Sequence, residues 1–155
     1  MPYQIRDSDR LIDVDFASLT NIELEARRKP EPDEAADPRS VSLGIEVEKS
    51  EDRLVVIVDM TRESRLAFSR VKMLAVFRSA NKEILEDISD EAVLGFADET
   101  VTVALWPYLR ENLLRLTGQL GIKPMTLPLR PPTLPYKEAL ERGDRVVSDA
   151  NGTLL

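Results

Sequence analysis

From Val41 onward the chain alternates. Val41, Leu43, Ile45 and Val47 fall on one side of an extended backbone, and Ser42, Gly44, Glu46 and Glu48 on the other. This is the period-2 pattern of a half-buried strand. Ser50-Glu51-Asp52 turns the chain, and Leu54 to Thr61 continues as a valine-rich second strand, so the pair predicts a β-hairpin. After a polar break at Arg62 to Arg65 comes a third strand, Arg70 to Phe77. It places Val71, Met73, Ala75 and Phe77 on one face and Lys72, Leu74 and Val76 on the other. Apolar residues on both faces predict helices over one face and a contact beyond this chain on the other. Upstream, Ile22 to Arg27 alternates in the same way, and Ile12, Val14 and Phe16 suggest a short edge strand. Between these and Val41, the segment Lys29 to Ser40 holds three prolines and four acids, the composition of a solvated crossover loop.

The period then changes. Ser89 is an N-cap for a short helix, with Asp90 and Glu91 favourable in its first turn and an apolar face that includes Ile88, Ala92, Val93 and Phe96. Leu105, Leu109, Leu113, Leu116 and Leu120 form one stripe at the 3.6-residue period and predict the main helix. Gly121 suits the residue just past its end. Pro107 either opens this helix or kinks one that starts near Val101, because it lacks an N–H and clashes with the carbonyl four residues back. Beyond Gly121 runs an apolar, proline-punctuated loop, Ile122 to Pro131, then a helical turn or two at Pro135 to Glu141. Arg142 to Leu155 reads as a polar tail. Strands followed by helices predict an α+β protein with a helical layer beside an antiparallel sheet.

With 155 residues the chain fits one domain of ordinary size. A formal net charge of -7 argues against a nucleic-acid partner, which requires a basic stripe. The chain has no Cys and no His, which excludes thiol nucleophiles, disulfides, imidazole bases and the usual zinc ligand sets. Only 6 glycines are present and none forms a phosphate loop, so no catalyst or cofactor site can be named and a non-enzyme is expected. The absence of an N-terminal apolar run or a transmembrane-length segment, together with the lack of Cys, fits a cytoplasmic protein with no membrane insertion.

Several of these segments resemble a known family. Trp106-Pro107-Tyr108-Leu109-Arg110-Glu111 resembles the F-P-Y-A-R-E-C segment that opens the long helix of the bacterial export chaperone SecB. Gly121-Ile122-Lys123-Pro124 is similar to its G-x-F-P turn. Leu127-Pro128-Leu129-Arg130-Pro131, with Leu134 following, is similar to its L-x-L-x-P-x-x-F loop, and Asn21-Ile22-Glu23-Leu24-Glu25 to its D-I-S-F-E first strand. The match spans about Thr20 to Leu140 in element order and is specific between Trp106 and Pro131.

The resemblance implies a four-stranded antiparallel sheet packed with a long helix and shorter helices, in a domain over residues 19–141. Residues 1–18 would be an N-terminal extension and 142–155 a polar tail. It further implies a homotetramer, a dimer of dimers, acting as an ATP-independent holdase. The partners would be unfolded preproteins or, as in SecB-like proteins dedicated to toxin–antitoxin systems, an antitoxin. Because the loop at residues 29–40 lacks the family's aromatics, the client surface is expected at Ile122, Met125, Leu127, Leu129, Leu134 and Tyr136. The oligomer interface is expected at Leu105, Trp106, Tyr108, Leu109, Leu113 and Leu116. Docking of the motor ATPase SecA would map to Glu25 and Met73. Asn21 and Ala75 replace two acids of that patch, which argues against a standard handoff. A different class of function on the same fold is an oligomeric adaptor that binds one folded partner.

Overall fold

The computed structural model describes residues 3–37, 40–132 and 136–149. The alternating segments form one sheet of six strands, ordered β1-β2-β5-β4-β3-β6. The strands are β1 (Tyr3–Asp7), β2 (Arg10–Arg28), β3 (Val41–Lys49), β4 (Arg53–Glu63), β5 (Ala67–Ser79) and β6 (Arg145–Asp149). The hairpin expected at residues 41–61 is β3–β4, paired from Val41↔Arg62 to Lys49↔Leu54. The expectation of four strands is corrected to six, and segments from residues 1–18 and 142–155 belong to the same sheet. Tyr3–Asp7 pairs with the start of β2, and Arg145–Asp149, expected in a polar tail, pairs with β3 in parallel. Arg145-Val146-Val147 carries little strand signal, because it is short and one of its two inward residues is charged.

β2 is one strand of 19 residues rather than two short ones. Two register shifts against β5, between Phe16 and Ser18 and between Asn21 and Glu23, insert an extra residue each time. A one-residue shift flips every following side chain to the other face. The shifts therefore keep Phe16, Leu19, Asn21 and Leu24 on the same face, opposite Phe77, Ala75, Met73 and Val71. Ile22 is an inserted residue and remains 44% exposed.

The helices lie on that face. A 3-10 turn (Leu85–Asp87) precedes α1 (Asp90–Phe96), which Ser89 caps by accepting the Ala92 N–H at 3.2 Å. A π-helical turn, Ala97–Val101, joins α1 to α2 (Thr102–Gly118) without a break, and Thr102 donates its hydroxyl to the Ala97 carbonyl at 2.8 Å. Pro107 thus sits inside α2, which continues from the π-helical turn, rather than opening it. It is exposed, as is Val103, so the carbonyl left without an N–H partner faces water. Gly121 has φ +70 and completes the turn that follows α2. A last short helix, α3 (Tyr136–Glu141), leads into β6. Among the described residues no helix is long and apolar enough to cross a membrane.

The core is the layer between this sheet face and the helices. Val47, Leu54, Val56, Val58, Met60 and Val71 come from the sheet, and Val93, Leu94, Trp106, Leu109 and Leu113 from the helices. The opposite sheet face carries Ile57, Leu74 and Val76, half-buried, across the β4–β5 register. The crossover loop spans the sheet end and is tied to the β4–β5 turn. Lys29 meets Asp33 at 3.0 Å and Glu63 at 2.8 Å, and the Asp33 N–H donates to the Arg65 carbonyl.

Candidate polypeptide-binding surface

The proline loop runs back along α2 and is fastened by three side chains. The Trp106 indole Nε1–H donates to the Pro128 carbonyl at 2.7 Å. The Thr117 hydroxyl donates to the Leu113 carbonyl at 2.8 Å and accepts the Met125 N–H at 2.9 Å. The Ser69 hydroxyl meets the Met125 sulfur at 3.8 Å. These bonds satisfy a backbone that forms no regular structure and turn Met125 and Leu127 inward, where both are buried in the core. Of the expected client residues, then, Met125 and Leu127 close the core and Ile122 packs half-buried against it. Leu129 stands 80% exposed. Leu134 and the side chain of Tyr136 lie outside the described residues.

The leucine stripe of α2 behaves similarly. Leu105, Trp106, Leu109 and Leu113 are buried against the chain's own sheet, and Leu116 packs on the same core. That stripe has little surface left for a partner. Tyr108, at 52% exposed, is the one residue of the expected interface that faces outward, along with Val103 and Leu114. Met73 and Glu25 are not brought together. Met73 faces α2 at 2% exposed, while Glu25 lies on the opposite sheet face and pairs with Arg27 at 3.2 Å. The shift between Asn21 and Glu23 separates them.

Between α2 and β2 the structure opens a cleft that the sequence reading did not identify. Tyr3, Phe16, Leu19, Phe77, Ala104 and Tyr108 line an apolar hollow of ≈ 180 Å³. It adjoins, through Leu19 and Tyr108, a more polar hollow of ≈ 290 Å³ bordered by Asn21, Met73, Glu111, Asn112 and Arg115. Phe77 anchors the apolar part. Its ring stands edge-to-face with Phe96 at 5.1 Å, Tyr3 at 5.6 Å and Phe16 at 5.8 Å. Arg115 donates to the Asn112 side-chain Oδ1 at 3.0 Å, and the Asn112 Nδ2 donates to Asn21 Oδ1 at 3.3 Å, which closes the polar end. Phe16 and Tyr3 nevertheless remain 48% and 36% exposed.

The rim adds main-chain groups. β1 pairs with β2 only as far as Val14, so among the described residues no strand covers that side of β2 from Asp15 to Arg28. An uncovered edge beside exposed aromatics can bind an extended chain by backbone hydrogen bonds and by burial of its side chains. The sequence signal for the cluster was present in the Ile12, Val14, Phe16 and Met73, Ala75, Phe77 alternations. Which strands lie side by side was not.

No protein-family model matches the sequence, and no curated protein matches it significantly. The fold is similar to that of the Mycobacterium tuberculosis Rv1957 SecB-like chaperone, solved in complex with a ChAD peptide from the Rv1956 HigA1 antitoxin. The TM-score is 0.63 at 22% identity, covering 76% of this chain and 88% of that one. The likeness shows a SecB-like fold.

Proposed function

We propose that this protein is a SecB-like molecular chaperone, a holdase that binds unfolded or extended polypeptide without ATP. The observation that carries the reading is the aromatic cleft beside the uncovered β2 edge, which offers apolar contacts and main-chain partners to any extended segment. A fully buried leucine or phenylalanine side chain is worth about 1.5–3 kcal/mol, so a few such contacts give micromolar binding with little sequence preference. The similar Rv1957 protein holds an antitoxin peptide, which favours an antitoxin over exported preproteins as the client.

The same β2 edge, with Tyr108, Val103 and Leu114 outward on α2, supports self-association into a homo-oligomer, and we include a tetramer in the cytoplasm in this reading. Handoff to SecA is left out, since Met73 is buried and faces away from Glu25. The test is suppression of aggregation of a chemically unfolded client by stoichiometric protein in the absence of nucleotide. Unchanged light scattering by the aggregating client refutes the proposal. Scattering-derived mass of the protein alone tests the assembly.

A further inference from the structure

The outer edge of β3 is occupied by an atypical strand. β6 is five residues long and runs parallel to β3, while every other neighbouring pair in the sheet is antiparallel. Parallel pairing is the weaker per residue. The strand is joined to the body through α3 and a turn at Gly143, where φ is +77, and the β3–β4 pairing is complete without it.

Two inward side chains hold β6 in place. Arg145 is 3% exposed, and its Nε donates to Asp98 Oδ1 at 2.8 Å. Its Nη1 donates to the carbonyls of Leu43, on β3, at 2.8 Å and of Asp144 at 3.0 Å. Val147, at 4% exposed, completes the core beside its register partner Val47. The main chain adds the Ile45 N–H, which donates to the Asp144 carbonyl at 2.8 Å. β3 therefore recognises an extended backbone, one arginine, and a β-branched aliphatic two residues later. A lysine cannot reproduce this set, because only a guanidinium presents several donors in fixed directions. Asp98 belongs to the π-helical turn whose Val101 also lines the aromatic cleft, so both surfaces are built on one segment.

We propose that the Ile45–Lys49 edge of β3 is a strand-acceptor site. The chain's own C-terminal strand fills it at rest, and an extended client segment with the pattern Arg-x-Val takes its place. The proposal rests on the polypeptide-binding reading above only for the source of the incoming segment. A site that is open a small fraction of the time binds weakly in proportion to that fraction, and loosening the resident strand removes the penalty.

The probe is a fluorescent peptide, Gly-Asp-Arg-Val-Val-Ser-Asp, followed by anisotropy on full-length protein. Arg145→Ala is expected to bind it at least about tenfold more tightly than the wild type, and a peptide with alanine in place of arginine should not bind. Val147→Ser loosens the strand without touching Asp98 and serves if the first variant does not fold.

On the wild type, hydrogen exchange provides an independent readout. The Ile45 amide, bonded to the Asp144 carbonyl at the start of β6, should exchange at least about tenfold faster than amides bonded between β4 and β5. Equal rates overturn the proposal, as does peptide binding that ignores the arginine or is absent from folded variants. Variants that dimerise without peptide also overturn it, in favour of exchange between copies. Aggregation suppression is measured separately. Its loss with peptide binding retained sinks the chaperone reading alone, and the converse sinks the strand-acceptor site alone.

Discussion

Thr117→Val tests how the proline loop is held. The substitution keeps the shape of a fully buried side chain and removes one oxygen. That oxygen donates to the Leu113 carbonyl, which is a helix carbonyl, and accepts the Met125 N–H at 2.9 Å. Without it the Met125 N–H is buried and unpaired, at a cost of about 1–3 kcal/mol. The helix itself keeps its backbone bonds, so the loss falls on the docked loop. A cost of that size raises the population of the undocked loop by about 5- to 150-fold. Hydrogen exchange read residue by residue should therefore show the Met125 amide accelerating by that factor while amides in the middle of β5 keep their protection. Thr117→Ser retains the hydroxyl and is expected to retain slow exchange at Met125. The reasoning is refuted if Thr117→Val leaves the Met125 amide as slow as in the wild type, or if Thr117→Ser accelerates it equally.

Three further outcomes are expected. Gly121→Ala places a Cβ where no heavy atom lies within 4 Å, so its cost is purely that of φ +70, about 1–2 kcal/mol. Thermal unfolding should record this as a fall of about 2–8 °C, and an unchanged midpoint would contradict the conformation. Leu129→Asp changes a side chain that is 80% exposed, so stability should move by less than about 0.5 kcal/mol. Client capture should weaken if the loop tip takes part, and identical capture removes Leu129 from the binding surface. Asp7 is held below its ordinary value of 3.8, chiefly by the Ser89 hydroxyl, with Arg10 adding to the effect against a cost of burial. A depressed carboxyl contributes stability above pH 3.8 that is lost as pH falls through its lower folded value. Asp7→Asn should flatten that acid limb, and an unaltered pH profile would show that Asp7 does not contribute to it.

The alternation of Val41 to Val47 and of Val71 to Phe77, the cap at Ser89 and the leucine stripe of α2 are local patterns, and each forms the element it predicts. Local pattern depends on neighbours two to four positions away, which is all that a strand pleat or a helix face needs. The turn chemistry at Gly121 and the proline loop after it were legible for the same reason. Tertiary structure decided the rest. Whether a buried stripe meets its own sheet or another chain depends on what packs over it, so the sequence could not show that Leu105, Leu109 and Leu113 are spent on the internal core. The bulges of β2 depend on register against β5, and they alone set Met73 and Glu25 on opposite faces. The aromatic cluster at the cleft draws Tyr3, Phe16 and Phe77 from three strands and backs them with the buried Phe96 of α1, joined only by strand order and helix packing. The sequence by itself determined the central strands, the helices and the supply of apolar surface. Long-range pairing alone determined which of that surface is buried and which stays open to a partner, because burial is a property of contacts between distant segments.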